Sequence, residues 1–125
     1  MTALLVFFGA GLGGLTRFGL GNMVQQAAGP GFPWGTLVVN VTGSLLLGFL
    51  YMSLEGTASA AQWRAFLGIG FCGGYTTFSA FSYDTVLMAQ AGHWNRALAY
   101  ALGSVVLCVI ATLAGFRVAS MLRTS

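Results

Sequence analysis

The residues best able to do chemistry stand together in the run Gly70-Phe71-Cys72-Gly73-Gly74-Tyr75-Thr76-Thr77-Phe78-Ser79-Ala80-Phe81-Ser82. Adjacent glycines followed by adjacent threonines are poor material for a continuous helix. The run lies near the middle of a long apolar stretch. Backbone released from a helix there has no water to bond, so it must be buried in protein or line a cavity. Such a break offers two kinds of ion chemistry. Freed carbonyl oxygens suit a hard cation, and the N–H groups of the helix that restarts beyond it suit an anion. Phe78 and Phe81 follow at three-residue spacing, with Ser82 and Thr85 on much the same face. Aromatic residues so spaced are ordinarily packing. A phenyl ring nevertheless has a positive edge, and rings presented edge-on can stabilise a small anion without a fixed charge.

Three further polar rows fall inside apolar stretches. Gly9, Gly13, Arg17 and Gly21 recur every four residues and share one helix face. Small residues at this spacing let helices approach closely, and Arg17 on the same face reads either as an anion-attracting vestibule charge or as a structural anchor. Thr36, Asn40 and Ser44 form a second row, followed by Gly48. Asn40 must find partners or water in a membrane helix, through an interhelical bond or by lining a pore. Tyr100, Ser104, Cys108 and Thr112 form the third. Its hydroxyls either bond back to their own helix or complete a polar track with Thr36 and Asn40.

The elements that position these rows are membrane spans. Of 125 residues, 57% are hydrophobic and 6% charged, against about 25% charged in ordinary soluble domains; the mean hydropathy is +0.83. A bilayer core needs roughly 20 apolar residues per helix, and turn residues divide the chain into four such stretches. They run roughly over 3–24, 34–54, 63–90 and 95–122, a single four-helix domain covering 1–125. Gly29-Pro30-Gly31-Phe32-Pro33 separates the first two, and the polar segment Glu55 to Gln62 separates the next pair. Trp34, Trp63 and Trp94 sit at span starts, where interfacial aromatics belong. No internal repeat stands out, and the apolar N-terminus lacks the basic region of a signal peptide. The expected fold is an all-α integral membrane protein with a broken third helix.

The net charge of +3 comes from five arginines against Glu55 and Asp84, with no lysine. Scattered singly, these arginines make no nucleic-acid patch. Four spans put Arg64, Arg117 and Arg123 toward one side and Arg96 and Arg17 toward the other, almost no bias under the positive-inside rule. A chain so balanced is free to insert either way up, and two such chains can form an antiparallel dimer equivalent to an inverted repeat. Cys72 and Cys108 lie in apolar runs and suggest neither a disulfide framework nor a metal site.

These features together resemble the CrcB, or Fluc, family of fluoride channels of bacteria and other microbes. The resemblance covers essentially the whole chain. It rests on Gly13-Gly14-Leu15-Thr16-Arg17, on Gly35-Thr36-Leu37-Val38-Val39-Asn40, and above all on Gly70 to Ser79. It implies an antiparallel, dual-topology homodimer with two pores in the bacterial inner membrane, its partners being fluoride, a second copy and the bilayer. It also implies a structural sodium ion at the dimer centre, held by the backbone carbonyls that match Gly73 and Thr76. By the same resemblance Phe78 and Phe81 turn ring edges to fluoride, Asn40 is the pore asparagine, and Thr36, Ser79, Tyr100 and Ser104 belong to the polar track. Arg17 matches a vestibule arginine. The chain departs from the family in having Ala80 in place of a hydroxyl residue, Asp84 in place of a glutamate, and Cys108 where the track would carry a hydroxyl.

Fluoride is small and strongly hydrated, so a selective pore must replace its water with donors yet hold it loosely enough to release it. The family logic is protective: fluoride that enters as hydrofluoric acid leaves passively, down its electrical gradient. A small dual-topology multidrug exporter is one rival, but cation export calls for an embedded carboxylate in the first span, which has none. A non-transporting structural subunit is another; it would explain the glycines but not a polar, phenylalanine-lined break. With His93 in a loop there is no base–nucleophile pair on which to build an enzyme.

Overall fold

A computed structural model describes all 125 residues. Helix α1 (Thr2–Ala28) runs on past Val24 through both glutamines. It stops at Gly29, whose φ of 86° is open to glycine and whose N–H donates to the Gln25 carbonyl at 3.0 Å. Gly29, Pro30, Gly31 and Pro33 fix the loop, and α2 (Trp34–Ser53) follows. A turn around Gly56 leads into the short helix α3 (Ala60–Trp63). The chain then widens into a π-helical run, Arg64–Cys72, before α4 (Gly73–Tyr75). Thr76 and Thr77 are extended, with φ, ψ of −90°, 159° and −151°, 120°, and they interrupt the helix. Helix α5 (Phe78–Gln90) resumes beyond them, and α6 (Trp94–Thr124) completes the chain.

The molecule is all-helical. Three of its helices, α1, α2 and α6, are long and apolar enough to cross a membrane. At about 1.5 Å per residue each spans the roughly 30 Å hydrocarbon core. Only 18 of the 125 residues are buried. Most of the apolar mass, such as Leu98, Leu102, Val105 and Val109 on α6, therefore faces outward, the reverse of a domain that keeps its core from water.

Backbones pack closely through glycine. Helix α1 lies along the π-helical run and α4, and α2 along α6. A side chain at Gly9 would strike the Phe66 carbonyl oxygen, and one at Gly13 that of Phe71. Between α2 and α6, Gly48 abuts the backbone of Thr112, and Gly115 that of Leu45. The row Gly9, Gly13, Arg17, Gly21 is thus one continuous contact face: Arg17 Nε donates to the Gly74 carbonyl at 3.0 Å, and Gly21 lies against Gly35.

The two ends of the bundle are set by arginine. Arg123 donates to the Met52 carbonyl at 2.9 Å and pairs with Glu55 at 3.5 Å, while Arg64 donates to the Tyr51 carbonyl at 3.3 Å. These contacts gather the C-terminus of α6, the end of α2 and the start of the broken segment at one end. Arg96 lies near Gly31 at the other.

Candidate functional site at the helix break

The break is held by side chains from outside it. Asn40 on α2 faces it squarely: its Nδ2 donates to the Thr77 carbonyl at 3.0 Å, and the Thr77 N–H donates to Asn40 Oδ1 at 2.8 Å. Thr77 also caps α5, its Oγ1 accepting the Ala80 N–H at 3.1 Å. These two bonds have a consequence for the carbonyls. In a continuous α-helix the N–H of Thr77 would serve Gly73 and that of Ala80 would serve Thr76, four residues back. Both donors are diverted, so both carbonyls lose their helical partners. The Gly74 carbonyl is taken by Arg17 instead.

Two grooves meet at this point. The first, of about 740 Å³, opens beside the α1–α2 loop and carries Arg17, Gln25, Thr36 and Asp84 among its walls. The second, of about 410 Å³, runs between α2, the broken segment and α6 toward Tyr51. It gathers Asn40, Gly73, Thr76, Phe78, Phe81 and Ser104. Thr77 lines both.

The candidate residues are therefore distributed, not collected in one cavity. Thr36 and Arg17 stand on the first groove, and Asn40, Phe78, Phe81 and Ser104 on the second. Ser79 is exposed beside the break, its hydroxyl 3.2 Å from Thr77 Oγ1. Tyr100 lines neither groove: it is 1% exposed, with its ring 5.2 Å from that of Phe81 and its hydroxyl donating to Asp84 Oδ2 at 3.4 Å. Of the two openings left for Asn40, the interhelical bond is made, although Nδ2 carries a second hydrogen that the Thr77 bond does not use. Thr112, at the end of the α6 row, has one hydroxyl hydrogen to share between the Cys108 carbonyl of its own helix at 3.1 Å and the Ser44 carbonyl across from it at 3.3 Å.

Thr77 joins the site from outside the residues expected from the sequence. Its signal was available: a threonine three residues before Ala80, at the start of a helix, has the spacing of an N-cap. The hydroxyl of Ser104 is the one unpaired polar group of the second groove that is fully enclosed, 6% exposed and with no protein partner.

Comparison with known proteins adds the context. The family described as CrcB-like protein, Camphor Resistance (CrcB), matches residues 4–116. A Thermus thermophilus protein named Fluoride-specific ion channel FluC is 48% identical over 120 residues, covering 95% of each chain. A Coxiella burnetii protein of the same name is 49% identical over 111 residues, 87% of this chain and 90% of that one. The Nitrobacter hamburgensis protein Fluoride-specific ion channel FluC 2 is 46% identical over 117 residues, 92% of this chain and 94% of its own.

Proposed function

This chain belongs to the CrcB-like family, and on that premise we propose that it is a fluoride-selective channel through which cytoplasmic fluoride leaves the cell passively. The observation that carries the reading is near-full-length identity of almost one half to relatives named as fluoride-specific channels. It is a multi-pass membrane protein, and the bacterial inner membrane is the proposed location. The broken segment from Ala60 to Gln90 serves as the fourth crossing.

The working unit is an antiparallel homodimer. Phe78 is 78% exposed, and Gly73 and Ser79 beside it are exposed as well. A carbonyl without a helical donor is not left facing hydrocarbon; it is buried in protein or lines a watered cavity, and a second copy seated on this surface supplies the cover. The nearly balanced division of the arginines, three toward one side and two toward the other, is compatible with dual insertion.

The same surface fits a structural sodium ion. The carbonyls of Gly73 and Thr76 are the two whose helical donors are diverted to Asn40 and Thr77. Neutral oxygens suit a hard monovalent cation without trapping it electrostatically. The ion's contribution is to tie the two breaks together.

Fluoride enters by the groove that carries Arg17 and Thr36 and passes the break to the groove that carries Phe78 and Phe81. Arg17 raises the local anion concentration. Within the narrow part the free Nδ2 hydrogen of Asn40, the unpaired Ser104 hydroxyl and the positive ring edges replace water without a full positive charge. Tyr100 acts from behind Phe81, and Ser79 joins at the covered surface.

The test is fluoride efflux from liposomes after addition of a potassium ionophore, with chloride efflux as the control and Phe78→Ile and Asn40→Asp in parallel. Fluoride release without chloride release, lost in both variants, is the expected result. No release from well-assembled protein would sink the channel reading.

A further inference from the structure

A row of four aromatic rings leads from the α1–α2 loop to the helix break. Phe32 in the loop meets Tyr100 edge to face, with centroids 5.4 Å apart and planes at 85°. Tyr100 meets Phe81 at 5.2 Å, and Phe81 meets Phe78 at 5.5 Å. Phe32 walls the first groove, while Phe81 and Phe78 wall the second. Tyr100, between them, is shut off from both.

The loop that presents Phe32 is hydrogen-bonded by a single side chain, and the Trp34 ring packs against Phe32 at 4.7 Å. Gln25 Nε2 donates to the carbonyls of Gly29 at 2.9 Å and Phe32 at 3.0 Å, and Oε1 accepts the Gly35 N–H at 3.1 Å. Both amide hydrogens are thereby committed, and the loop is bound at its start, middle and end. Gly29 and Gly31, with φ of 86° and 107°, hold a path that other residues would resist. Gln25 is a bracket, and Phe32 is what it holds in place.

We infer that Phe32 is a positioning residue for anion selectivity: through Tyr100 it sets the ring orientation of Phe81, and Gln25 sets Phe32. The inference rests on the channel reading above. The favourable face of a phenyl ring for an anion is its edge, so a ring free to turn its face inward repels the ion it should attract. Phe81 is constrained on one side by Phe78, itself exposed, and on the other by Tyr100, which Asp84 holds at its hydroxyl and Met88 and Ala97 pack against, while Phe32 meets its ring edge to face. Removing the Phe32 ring leaves space into which Tyr100 tilts, and Phe81 follows.

The experiment compares fluoride and chloride efflux for wild type, Phe32→Leu and Gln25→Leu in the same liposomes. Phe32→Leu keeps an apolar side chain but no ring; Gln25→Leu keeps every ring and releases only the loop. Both are expected to assemble, to release fluoride about five- to tenfold more slowly, and to lose fluoride/chloride discrimination. A general loss of folding would lower the amount of active protein without changing that ratio. Where one variant does not assemble, the ratio in the other decides. Failure of both to assemble would make the loop a folding element and overturn the inference. A wild type that conducts fluoride while the variants match its rate and ratio overturns it alone; a wild type that releases none overturns the channel reading as well.

Discussion

Asn40 and Thr77 exchange two hydrogen bonds, at 3.0 and 2.8 Å, so that a side-chain amide on α2 takes the place of the peptide group that a continuous helix would have offered. The break is stable because its orphaned peptide is satisfied from the neighbouring helix. Asn40→Leu removes both partners and leaves the Thr77 peptide unpaired. The expected cost is about 1–3 kcal/mol, seen as a lower melting temperature and a lower yield of folded protein in detergent. Asn40→Asp keeps an acceptor for the N–H but sets an oxygen against the Thr77 carbonyl, and is expected to fall at least as far. Wild-type melting with lost fluoride release would instead assign Asn40 to the pore alone.

Thr77→Val keeps the shape of the side chain and deletes its hydroxyl. The α5 N-terminus then loses its cap, at a cost of about 0.5–2 kcal/mol, and the Ala80 N–H becomes free to seek the Thr76 carbonyl. Thr77→Ser is expected to behave as wild type. Thermal melting of the three proteins side by side checks this, and equal stability of Val and Ser variants would remove the capping role.

Neighbouring glycines should differ sharply. A Cβ at Gly13 strikes the Phe71 carbonyl, whereas at Gly14 it meets nothing within 4 Å. Gly13→Ala is expected to push α1 off the π-helical run, costing about 1–3 kcal/mol or more. Gly14→Ala should be neutral or slightly stabilising, since alanine favours the helix. Gel-filtration yield and melting temperature separate the pair.

How much of this could be read beforehand is uneven. The apolar stretches and their turns were plain, because glycine, proline and interfacial tryptophan punctuate them. The break was legible in kind but not in place. Gly73 and Gly74 remain helical, and the extended residues are Thr76 and Thr77. Gly74 serves close approach, a Cβ there striking the Ala10 carbonyl, while Thr77 provides the cap. The first stretch reads as ending at residue 24, yet α1 runs through Gln25 to Ala28, and the Gln25 amide is used on the loop beyond it. The π-helical widening at Arg64–Cys72 leaves no mark in composition; in the fold it packs against Gly9 and Gly13. The row Tyr100, Ser104, Cys108, Thr112 misled in one respect. Each four-residue step turns about 40° beyond a full circle, so its ends address different neighbours: Tyr100 meets Phe81 and Asp84, and Thr112 meets Ser44.

Sodium replacement tests the proposed ion. Exchanging sodium for N-methyl-D-glucamine is expected to lower the melting temperature of the proposed dimer. Titrating sodium back should then restore about 1.4 kcal/mol for each tenfold rise above its dissociation constant. Indifference to sodium across that range would leave the Gly73 and Thr76 carbonyls without the proposed occupant.

Thr77 is a wall of both grooves, so the partition between them is locally no thicker than one residue. With water in each groove, the membrane voltage does not fall evenly over the bilayer but is compressed onto that partition. An anion crossing it traverses nearly the whole potential in one short step, worth about 2.3 kcal/mol per 100 mV for a single charge. On the proposed pathway the chain thereby turns a thick insulator into a thin one at the helix break.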